Sequence, residues 1–406
     1  MTIYIGIDWS REKHDVTYLN EKGAEIETQT VRHDAKGFEQ LDKVRRSIGV
    51  GSNECVVGIE SAHTLLIDFL WAKGYEQIYV IPPAVINANR RRNRQSGARN
   101  DRYDSLVIAE TLLTDRHKFY PWRPGSERLQ QMRRLVSQGE FWTTECTRVA
   151  NRLEAELLRY YPEALAVFPS WPTALVCHFV LAFPTPQAAK RLSLDEFKAF
   201  ARQHHYPKPR LLSGCYDRLI AAHPEAQPAT VSAGAMAATP LAEALLHALQ
   251  HKQRNRSQLK ALFDQHPDAA LFGSLPGVGD WLAPALLVKF GEDRQRFPSA
   301  EAVQVLAGTC PVTYQSGKKR SVRFRRSCDH SFRQIAQLWA RSAVAQSDWA
   351  ASYFKELTSR RLATSHAYRC LANRLIAIAW RLWQDRILYD EAVHLQNRAR
   401  RRRPLA

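Results

Sequence analysis

Short apolar runs bounded by turn residues predict five strands in the N-terminal part of this 406-residue chain. The predicted strands cover residues 4–8, 14–19, 25–31, 55–60 and 78–81. Between and after these strands, apolar residues recur every three or four positions, the spacing that lines one face of a helix. The helices predicted in this way cover residues 36–48, residues 63–73 and a segment that begins near Asp101. The N-terminal part is therefore predicted to alternate between strands and helices.

The order of these elements, βββαβαβα, predicts the topology of the domain. The first three strands are joined by short turns, which indicates an antiparallel meander. The fourth and fifth strands each follow a helix, and helical crossovers join parallel strands. An antiparallel extension on parallel strands is the ribonuclease-H-like arrangement, which we expect over residues 1–122.

The remainder of the chain is predicted to be mostly helical. A long amphipathic helix is predicted over residues 126–161, with apolar residues spaced for a seam. The seam consists of Leu129, Met132, Val136, Val149, Leu153, Leu157 and Tyr160. Such a seam is typical of a coiled coil, either within one chain or between two chains. Residues 229–240 are rich in small residues and are predicted to be a loop or linker before a long helix over residues 241–264.

Three regions follow from these patterns. They are an α/β domain over residues 1–122, a helical and coiled-coil region over residues 123–270, and a C-terminal helical domain over residues 271–406. The predicted fold class is thus α/β plus all-α. The patterns assign no chemistry to residues 165–272.

Composition adds a strong and uneven positive charge. The formal net charge is +18, and the isoelectric point is about 9.8. Residues 310–406 hold 20 Lys and Arg against 6 Asp and Glu. A basic excess this large and this localised predicts a polyanionic partner, DNA or RNA.

Other sequence features exclude several classes of protein. No run of 18 or more apolar residues occurs, so we expect no membrane span. The N-terminus leads directly into a strand and does not resemble a signal peptide. The seven cysteines are scattered without a C-x-x-C pair, so neither a zinc site nor a disulfide framework is indicated. These features are consistent with a reducing cytoplasm.

Four carboxylates of the N-terminal domain are candidate metal ligands: Asp8, Glu60, Asp101 and Asp104. Asp8 stands in the first strand and Glu60 ends the fourth. Asp101 and Asp104 are three residues apart, which places them on one face of a helix. Four acids that converge at strand ends and a helical face repel one another unless divalent metal neutralises them. The pattern predicts a site for two Mg²⁺ ions on a scissile phosphate, with Mn²⁺ as the alternative ion.

A run of arginines precedes the last two acids. Residues 90–99 are interpreted as a basic loop that contacts phosphate. Its candidate contacts are Arg90, Arg91, Arg92, Arg94 and Arg99. Two further acids of this domain, Asp15 and Asp68, are interpreted as surface or structural residues.

The stretch Leu275-Pro276-Gly277-Val278-Gly279 carries the signature of a helix-hairpin-helix motif. In that motif, a Gly-x-Gly turn presents backbone N–H groups and a helix N-terminus to a DNA phosphate. Gly277 and Gly279 are therefore candidate nucleic-acid contacts. A plain interhelical turn is the alternative interpretation.

Ser316 is the candidate nucleophile of the C-terminal domain. It is followed by a cluster of cations that are candidate nucleic-acid contacts: Lys318, Lys319, Arg320, Arg323, Arg325 and Arg326. A Ser-Gly pair usually marks only a turn. However, a serine that attacks phosphorus requires activation of its hydroxyl and neutralisation of the phosphate, which neighbouring cations provide.

Taken together, these motifs resemble those of the "IS one-ten" family of bacterial insertion-sequence transposases, also called bridge-RNA-guided DEDD recombinases. The N-terminal part is similar to the RuvC-like domain of that family. The similar segments there are Gly6-Ile7-Asp8, Gly58-Ile59-Glu60-Ser61 and Asn100-Asp101-Arg102-Tyr103-Asp104-Ser105. The C-terminal part is similar to the family's second transposase domain in Leu275-Pro276-Gly277-Val278-Gly279 and Gln315-Ser316-Gly317. The resemblance covers nearly the whole chain.

The resemblance implies a mechanism and partners. The four acids would hold Mg²⁺, and Ser316 would attack the DNA backbone and form a covalent phosphoserine link. A structured guide RNA would pair with donor and target DNA, so that base pairing reads the sequence. The helical segment would mediate assembly into a dimer or tetramer, and the two halves of a working site would come from different protomers.

Other functions remain open at this point. A Mg²⁺-dependent structure-specific nuclease of the Holliday-junction-resolvase type would use the four acids, with Ser316 merely structural. A nucleic-acid-binding protein with an inactive site would not need four intact acids. An actin-like sugar kinase, which also begins with Ile5-Gly6-Ile7-Asp8, is excluded, because that fold has a glycine-rich phosphate turn where this chain has Trp9-Ser10-Arg11.

Overall fold

A five-stranded mixed sheet forms the centre of the first of two compact units, which comprise Met1–Pro124 and Gly125–Ala406. The computed structural model describes residues 1–61, 65–93, 101–221, 223–317 and 319–402, except for the side chains of residues 92, 93, 101 and 397–402. The strands of the sheet are β1 (Ile3–Trp9), β2 (Lys13–Leu19), β3 (Glu25–Arg32), β4 (Cys55–Ile59) and β5 (Gln77–Val80). Their spatial order is β3-β2-β1-β4-β5.

The pairing of these strands agrees with the predicted topology. β1 and β3 both run antiparallel to β2, whereas β4 runs parallel to β1 and to β5. The helices of this unit are α1 (Ala35–Ile48), α2 (Leu65–Ala72), α3 (Pro83–Asn93) and α4 (Asp101–Asp115). Apolar side chains of β1, β4 and β5 are buried between the helices, as expected for strands that are covered on both faces.

Helix α3 corrects the prediction for the arginine run. Residues 90–99 were interpreted as a loop, but Arg90, Arg91 and Arg92 lie in the last turn of α3. The physical reason is that Pro83 stands at the first position of the helix, where a proline lacks only an N–H that would have no helical partner. The rest of that run, residues 94–99, lies outside the described residues.

The second unit is mainly helical. Its elements are α5 (Glu127–Tyr160), α6 (Glu163–Ala166), α7 (Ala174–Ala182), α8 (Pro186–Lys190), α9 (Leu194–Gln203), α10 (Leu212–Ile220), α11 (Pro228–Asp264), α12 (Ala269–Ser274), α13 (Leu282–Phe290), α14 (Ala300–Leu306), β6 (Val312–Ser316), β7 (Lys319–Arg323), α15 (His330–Gln346), α16 (Asp348–Ser359), α17 (Thr364–Asp385) and α18 (Glu391–Arg402). Helix α5 matches the long helix predicted over residues 126–161, and the side chain of Ser126 caps its N-terminus.

Helices α5 and α11 form a long antiparallel pair within the chain. Near one end, the Trp142 ring stacks on the His251 ring with 4.7 Å between centroids. Towards the other end, a Cβ on Gly234 would lie 2.3 Å from the ring of Tyr160, so the two helices approach closely there. The predicted seam of α5 is divided between two cores: its first half packs with α12–α17, and its second half with α7–α11.

The prediction of a loop over residues 229–240 is wrong, because this segment is the first third of α11. Alanine is the strongest helix former, and small side chains permit the close approach of α5. Pro240 lies inside the helix, where the packing against α5 offsets the hydrogen bond that a proline lacks.

Helix α11 also bears on the expectation that no segment spans a membrane. Within the described residues it alone is long and apolar enough to cross a membrane, with a mean hydropathy of 1.2 over its most apolar window. A core helix passes the same test of length and composition. Of that window, 22% is buried inside the protein, and Val231, Ala238, Ala242 and Leu245 of this helix pack in the core shared with α5.

The turn between α12 and α13 is held against α15. Gly277 has a φ of +76°, and a Cβ at this position would lie 2.4 Å from the backbone nitrogen of Ala343. The indole N–H of Trp339, on the same helix, donates to the carbonyl of Pro276 at 2.8 Å. The turn thus adopts a conformation and a close contact that require glycine at position 277.

We predict that Gly277→Ala lowers the free energy of unfolding by about 1–3 kcal/mol, because the added methyl group overlaps the backbone of α15. The measurement is denaturant unfolding followed by circular dichroism. Gly273→Ala is the matched control, since a Cβ there meets nothing within 4 Å in α12 and alanine favours a helix. Equal destabilisation by both changes would contradict the prediction.

A buried histidine lies on the opposite face of the sheet from α4. His14 stands opposite Trp9 in the β1–β2 pair and is fully buried. Its Nδ1 accepts from the Ser10 N–H at 3.4 Å, and its Nε2 is 2.9 Å from Nδ1 of His33. Burial, followed by the proximity of His33, lowers the pKa of His14 to about 4. The neutral ring fits this environment because its Nδ1 faces a donor.

We predict that the protein loses stability as the pH falls from about 6.5 towards 4. Over that range an unfolded chain protonates at His14 while the folded chain does not, which costs up to about 1.4 kcal/mol per pH unit. His14→Gln should give a flatter dependence of the free energy of unfolding on pH between 6.5 and 5. The same slope in both proteins would show that His14 is not responsible.

Candidate active site and nucleic-acid interface

The strand register places Asp8 and Glu60 side by side. Ile7 of β1 pairs with Ile59 of β4 in a parallel ladder. Asp8 follows Ile7, and Glu60 follows Ile59, so both acids stand at the carboxyl edge of neighbouring strands. Neighbouring strands are about 4.8 Å apart. Both residues are half-buried, which is suited to a site that is open to a ligand.

Helix α4 begins at the same edge of the sheet. It rests on β1 at Gly6, where a Cβ would lie 2.0 Å from the carbonyl oxygen of Ser105. Further along α4, Leu113 lies beside Gly23, near the opposite edge. The helix therefore runs antiparallel to β1, and its first turn points towards Asp8. Asp101, whose side chain is not described, and Asp104 belong to that first turn.

Asp104 is engaged by an arginine that was predicted to contact phosphate. Arg90 of α3 forms a bidentate pair with it: Nε lies 2.7 Å from Oδ1, and Nη2 lies 2.5 Å from Oδ2. Arg90 also donates from Nη1 to Oδ1 of Asn87 at 2.9 Å. Both charged side chains are less than a fifth exposed. In this conformation the guanidinium is directed at an acid of the candidate site.

The donor chemistry fits divalent ions, although the acids do not form a complete ligand set in this conformation. Carboxylate oxygens are the ligands that Mg²⁺ prefers. A cationic group, the guanidinium of Arg90, already lies on Asp104. Among the side chains that the structure describes, no group of three or more His, Cys, Asp and Glu is arranged to hold a metal.

Asp15, which was interpreted as a surface or structural residue, is a further acid of this region. It stands directly opposite Asp8 in the antiparallel β1–β2 pair and is buried, so it does not lie at the surface. Its Oδ1 accepts from the Thr30 hydroxyl at 2.5 Å. Opposite residues share a face with Cβ atoms about 4.5–5.5 Å apart. The short turn between Asp8 and Asp15 implies this register and was the available signal; Asp68, by contrast, is exposed on α2.

Several of the predicted phosphate contacts are residues that the structure does not describe. Arg94, Arg99 and Lys318 are not among the described residues, and only the backbone of Arg92 is described. Arg91 is exposed at the end of α3.

The Gly-x-Gly turn has one buried and one exposed glycine. Gly277 packs against α15, whereas Gly279 is exposed and a Cβ there would meet nothing within 4 Å. The next residue, Asp280, lies 3.5 Å from Nζ of Lys260, which also contacts Asp264. Any phosphate contact at this turn would therefore be made at Gly279, next to a carboxylate.

Ser316 is the last residue of β6, at the tip of a two-stranded hairpin. Strands β6 and β7 are antiparallel, and Ser316 pairs with Lys319 across a two-residue turn that begins with Gly317. Gly317 has a φ of +54°, as tight hairpin turns require. Ser316 is exposed. Sequence analysis identified the turn but not the strands on either side of it.

Cations surround this hairpin. Exposed or half-exposed positions on β7 and directly after it are occupied by Lys319, Arg320, Arg323, Arg325 and Arg326. The segment after β7 is anchored by Arg333 of α15, which donates from Nη2 to the carbonyls of Arg325 at 2.6 Å and Arg326 at 3.2 Å. Asp329 caps α15 and pairs with Lys289 at 2.8 Å. The hairpin thus presents an exposed serine with cations around it, and contacts with α15 hold the base of the hairpin in place.

Comparison with known proteins finds two family models that match this chain. Residues 5–162 match a family model for the DEDD transposase of IS110 elements, described as a transposase. Residues 269–355 match the model described as the transposase IS116/IS110/IS902 family. The first match includes the segments with the four acids, and the second includes the Gly-x-Gly turn and the hairpin.

Similar proteins come from several bacteria. A protein of Streptomyces coelicolor named "Mini-circle putative transposase for IS117" is 28% identical over 402 residues, which cover 96% of each chain. "Insertion element IS900 uncharacterized 42 kDa protein" of Mycobacterium paratuberculosis is 22% identical and covers 96% of this chain and 98% of its own. "Putative transposase y4uE" of Sinorhizobium fredii is 26% identical over 50% of this chain and 56% of its own. The chain therefore belongs to the IS110/IS116/IS902 family and is an insertion-sequence DNA transposase.

Proposed function

We propose that this transposase cuts and rejoins DNA with Ser316 as the nucleophile and with Mg²⁺ held by four acids, under the guidance of a structured RNA. The observation that carries the proposal is the position of Ser316, exposed at the tip of a basic hairpin. A serine that was only a turn former would not need a surrounding set of cations. A serine that attacks a phosphodiester does need them, because the phosphate must be neutralised.

The chemistry proposed for Ser316 is a transesterification. Its Oγ attacks phosphorus and forms a phosphoserine ester, while one bond from phosphorus to a deoxyribose oxygen breaks. The serine gives up its proton, and the departing deoxyribose oxygen takes up a proton to leave as a hydroxyl. The ester conserves the energy of the broken bond, so a second DNA end can reverse the step and be joined.

Asp8, Glu60, Asp101 and Asp104 would hold the metal ions, with Mn²⁺ as the alternative to Mg²⁺. Bound there, the ions would neutralise the charge of a scissile phosphate. The strand order and the position of α4 support a RuvC-like assignment for this unit. In this proposal Arg90 is the counterion of Asp104 before metal binds, and it becomes available to DNA once metal replaces it.

The guide RNA and the oligomer are further parts of the proposal. The resemblance to bridge-RNA-guided recombinases supports both, and the net charge of +18 suits a protein that binds donor DNA, target DNA and RNA together. In such a complex, the protein recognises the shape and backbone of the nucleic acids, and base pairing supplies the sequence specificity. The exposed Gly279 in a helix-hairpin-helix turn would add a backbone contact. We expect this homo-oligomer to act in the bacterial cytoplasm.

The experiment that tests the proposal looks for a covalent protein–DNA adduct. The purified chain is mixed with the RNA transcribed from its flanking DNA, labelled matching target DNA and Mg²⁺, and then resolved on a denaturing protein gel. We expect a labelled, protease-sensitive band that Ser316→Ala abolishes and Asp8→Asn strongly reduces. Ser327→Ala is the matched control, because Ser327 is an exposed serine that follows the hairpin and lies outside both of its strands.

Cleavage without an adduct, equal in the wild type and in Ser316→Ala, would overturn the serine mechanism. It would favour a metal-dependent nuclease of the Holliday-junction-resolvase type. Full activity of Asp8→Asn would instead overturn the metal site.

We also predict that Arg90→Ala lowers the Mg²⁺ concentration needed to stabilise the protein by about two- to fivefold. The reason is that a pair of this kind contributes up to about 1 kcal/mol, which metal must overcome to reach Asp104. The measurement is the unfolding temperature as a function of Mg²⁺. Arg91→Ala, which removes the same charge from an exposed position on the same helix, should leave the Mg²⁺ dependence unchanged. An equal response of the two variants would show that Arg90 does not compete with metal.

A further inference from the structure

The two faces of the β6–β7 hairpin carry different chemistry. Residues that pair directly across antiparallel strands point to the same face. We call the face on which Ser316 lies the serine face. It carries three pairs: Ser316 with Lys319, Tyr314 with Ser321, and Val312 with Arg323. The other pairs form the back face: Thr313 with Val322, and Gln315 with Arg320.

An exposed aromatic ring on the serine face lies two residues from Ser316. Tyr314 is 55% exposed, and the guanidinium carbon of Arg323 lies 5.1 Å from the centroid of its ring. A large exposed ring in contact with a cation is a common element of surfaces that bind unpaired nucleotides, because a base stacks on the ring while the cation meets a phosphate. The back face carries Val322 at a similar exposure of 60%, without an aromatic ring.

The base of the hairpin is fixed, so the serine face is presented in one orientation. Phe324 follows β7 and lies between two arginines, with Arg333 at 4.5 Å and Arg369 at 4.7 Å from its ring centroid. Arg333 holds the next residues through their carbonyls. The extended backbone of β6 sets the distance between Tyr314 and Ser316, and the fixed base sets the direction in which both are presented.

We infer that the serine face is a stacking site for an unpaired DNA base, with Tyr314 as the platform and with Arg323 and Lys319 on the flanking phosphates. Two residues of a β-strand span about 6.6 Å, which is about twice the 3.4 Å rise per nucleotide of a strand in duplex DNA. An unpaired strand is more extended, so the same span covers about one to two nucleotides. Tyr314 thus meets a base one or two nucleotides from the phosphate at Ser316. The stacking itself does not depend on the proposed function. Only the statement that Ser316 attacks the same DNA strand rests on it.

Stacking next to the nucleophile would serve the reaction by positioning. A base held on Tyr314 fixes the position of the neighbouring phosphate relative to Ser316. Holding the phosphate and the nucleophile in the right geometry lowers the barrier to attack. Stacking tolerates any base, so this site would not compete with a guide RNA for sequence selection. Tyr314 is therefore a positioning residue in this inference.

The test uses the full-length chain and single-stranded probes of equal charge. The probes are a fluorescein-labelled oligothymidylate and an abasic oligomer of the same length, with binding measured by fluorescence anisotropy. We expect the wild type to bind the abasic oligomer about tenfold more weakly, because stacking on an aromatic ring is lost. Tyr314→Ala should bind the two probes equally, whereas Tyr314→Phe should retain the difference.

Matched variants distinguish the two faces. Val322→Ala removes an exposed apolar side chain from the back face, and Arg320→Ala removes one charge there. We expect both to retain the preference for bases, while Arg323→Ala weakens binding of both probes more than Arg320→Ala does. Irradiation of an oligomer that contains 5-iododeoxyuridine should attach it to the peptide that holds Tyr314.

The inference is overturned if Tyr314→Ala keeps the tenfold preference, if Val322→Ala loses it equally, or if an oligouridylate RNA attaches to Tyr314 in preference to DNA. The binding tests do not depend on catalysis, so they separate this inference from the proposed nucleophile. Absence of the Ser316 adduct together with base-dependent binding at Tyr314 would overturn the serine mechanism alone. Adduct formation with no role for Tyr314 would overturn the stacking site alone.

Discussion

The close contact between α4 and β1 at Gly6 is the constraint on which the candidate metal site depends. With no side chain at Gly6, the helix backbone rests directly on the central strand. That contact decides where α4 begins relative to the ends of β1 and β4. As a consequence, residues separated by more than 90 positions in the sequence, Asp8 and Asp104, are directed to one edge of the sheet.

Acids that lie close together repel one another, and in this structure Arg90 reduces that repulsion at Asp104. Carboxylates gathered at one point repel one another unless a cation lies between or beside them. Arg90 supplies a positive charge to Asp104 in the structure, and Asn87 helps to orient the guanidinium. Asp15 is stabilised differently, through a hydroxyl donor on β3. Arg90 thus neutralises one of these acids, in an arrangement that a divalent ion at Asp104 would have to change.

In the second unit, a rigid helical core supports an exposed segment, the β6–β7 hairpin. Large buried aromatic residues, among them Trp339, Trp349 and Trp383, fill the core of α12–α17. Arg333 and Asp329 at the start of α15 hold the segment after β7, and none of the described residues of the hairpin is buried. Stability therefore resides in the helices, while the hairpin remains free of packing constraints and can carry chemistry.

The sequence by itself determined the features that depend on local periodicity and turn chemistry. The five strands of the sheet, the long helix α5 and the positions of Asp8 and Glu60 at strand ends were all predictable, because apolar spacing reports directly on which face is buried. It failed where a local helix signal was not recognised: the alanine-rich residues 229–240 begin α11, and Pro83 begins the helix that contains Arg90. Only the tertiary structure decided the pairing of Asp104 with Arg90, the register that sets Glu60 beside Asp8, and the packing of α4 on β1 at Gly6. These relations join residues through strand pairing and helix packing, and no local pattern of residues encodes which partner an element will meet.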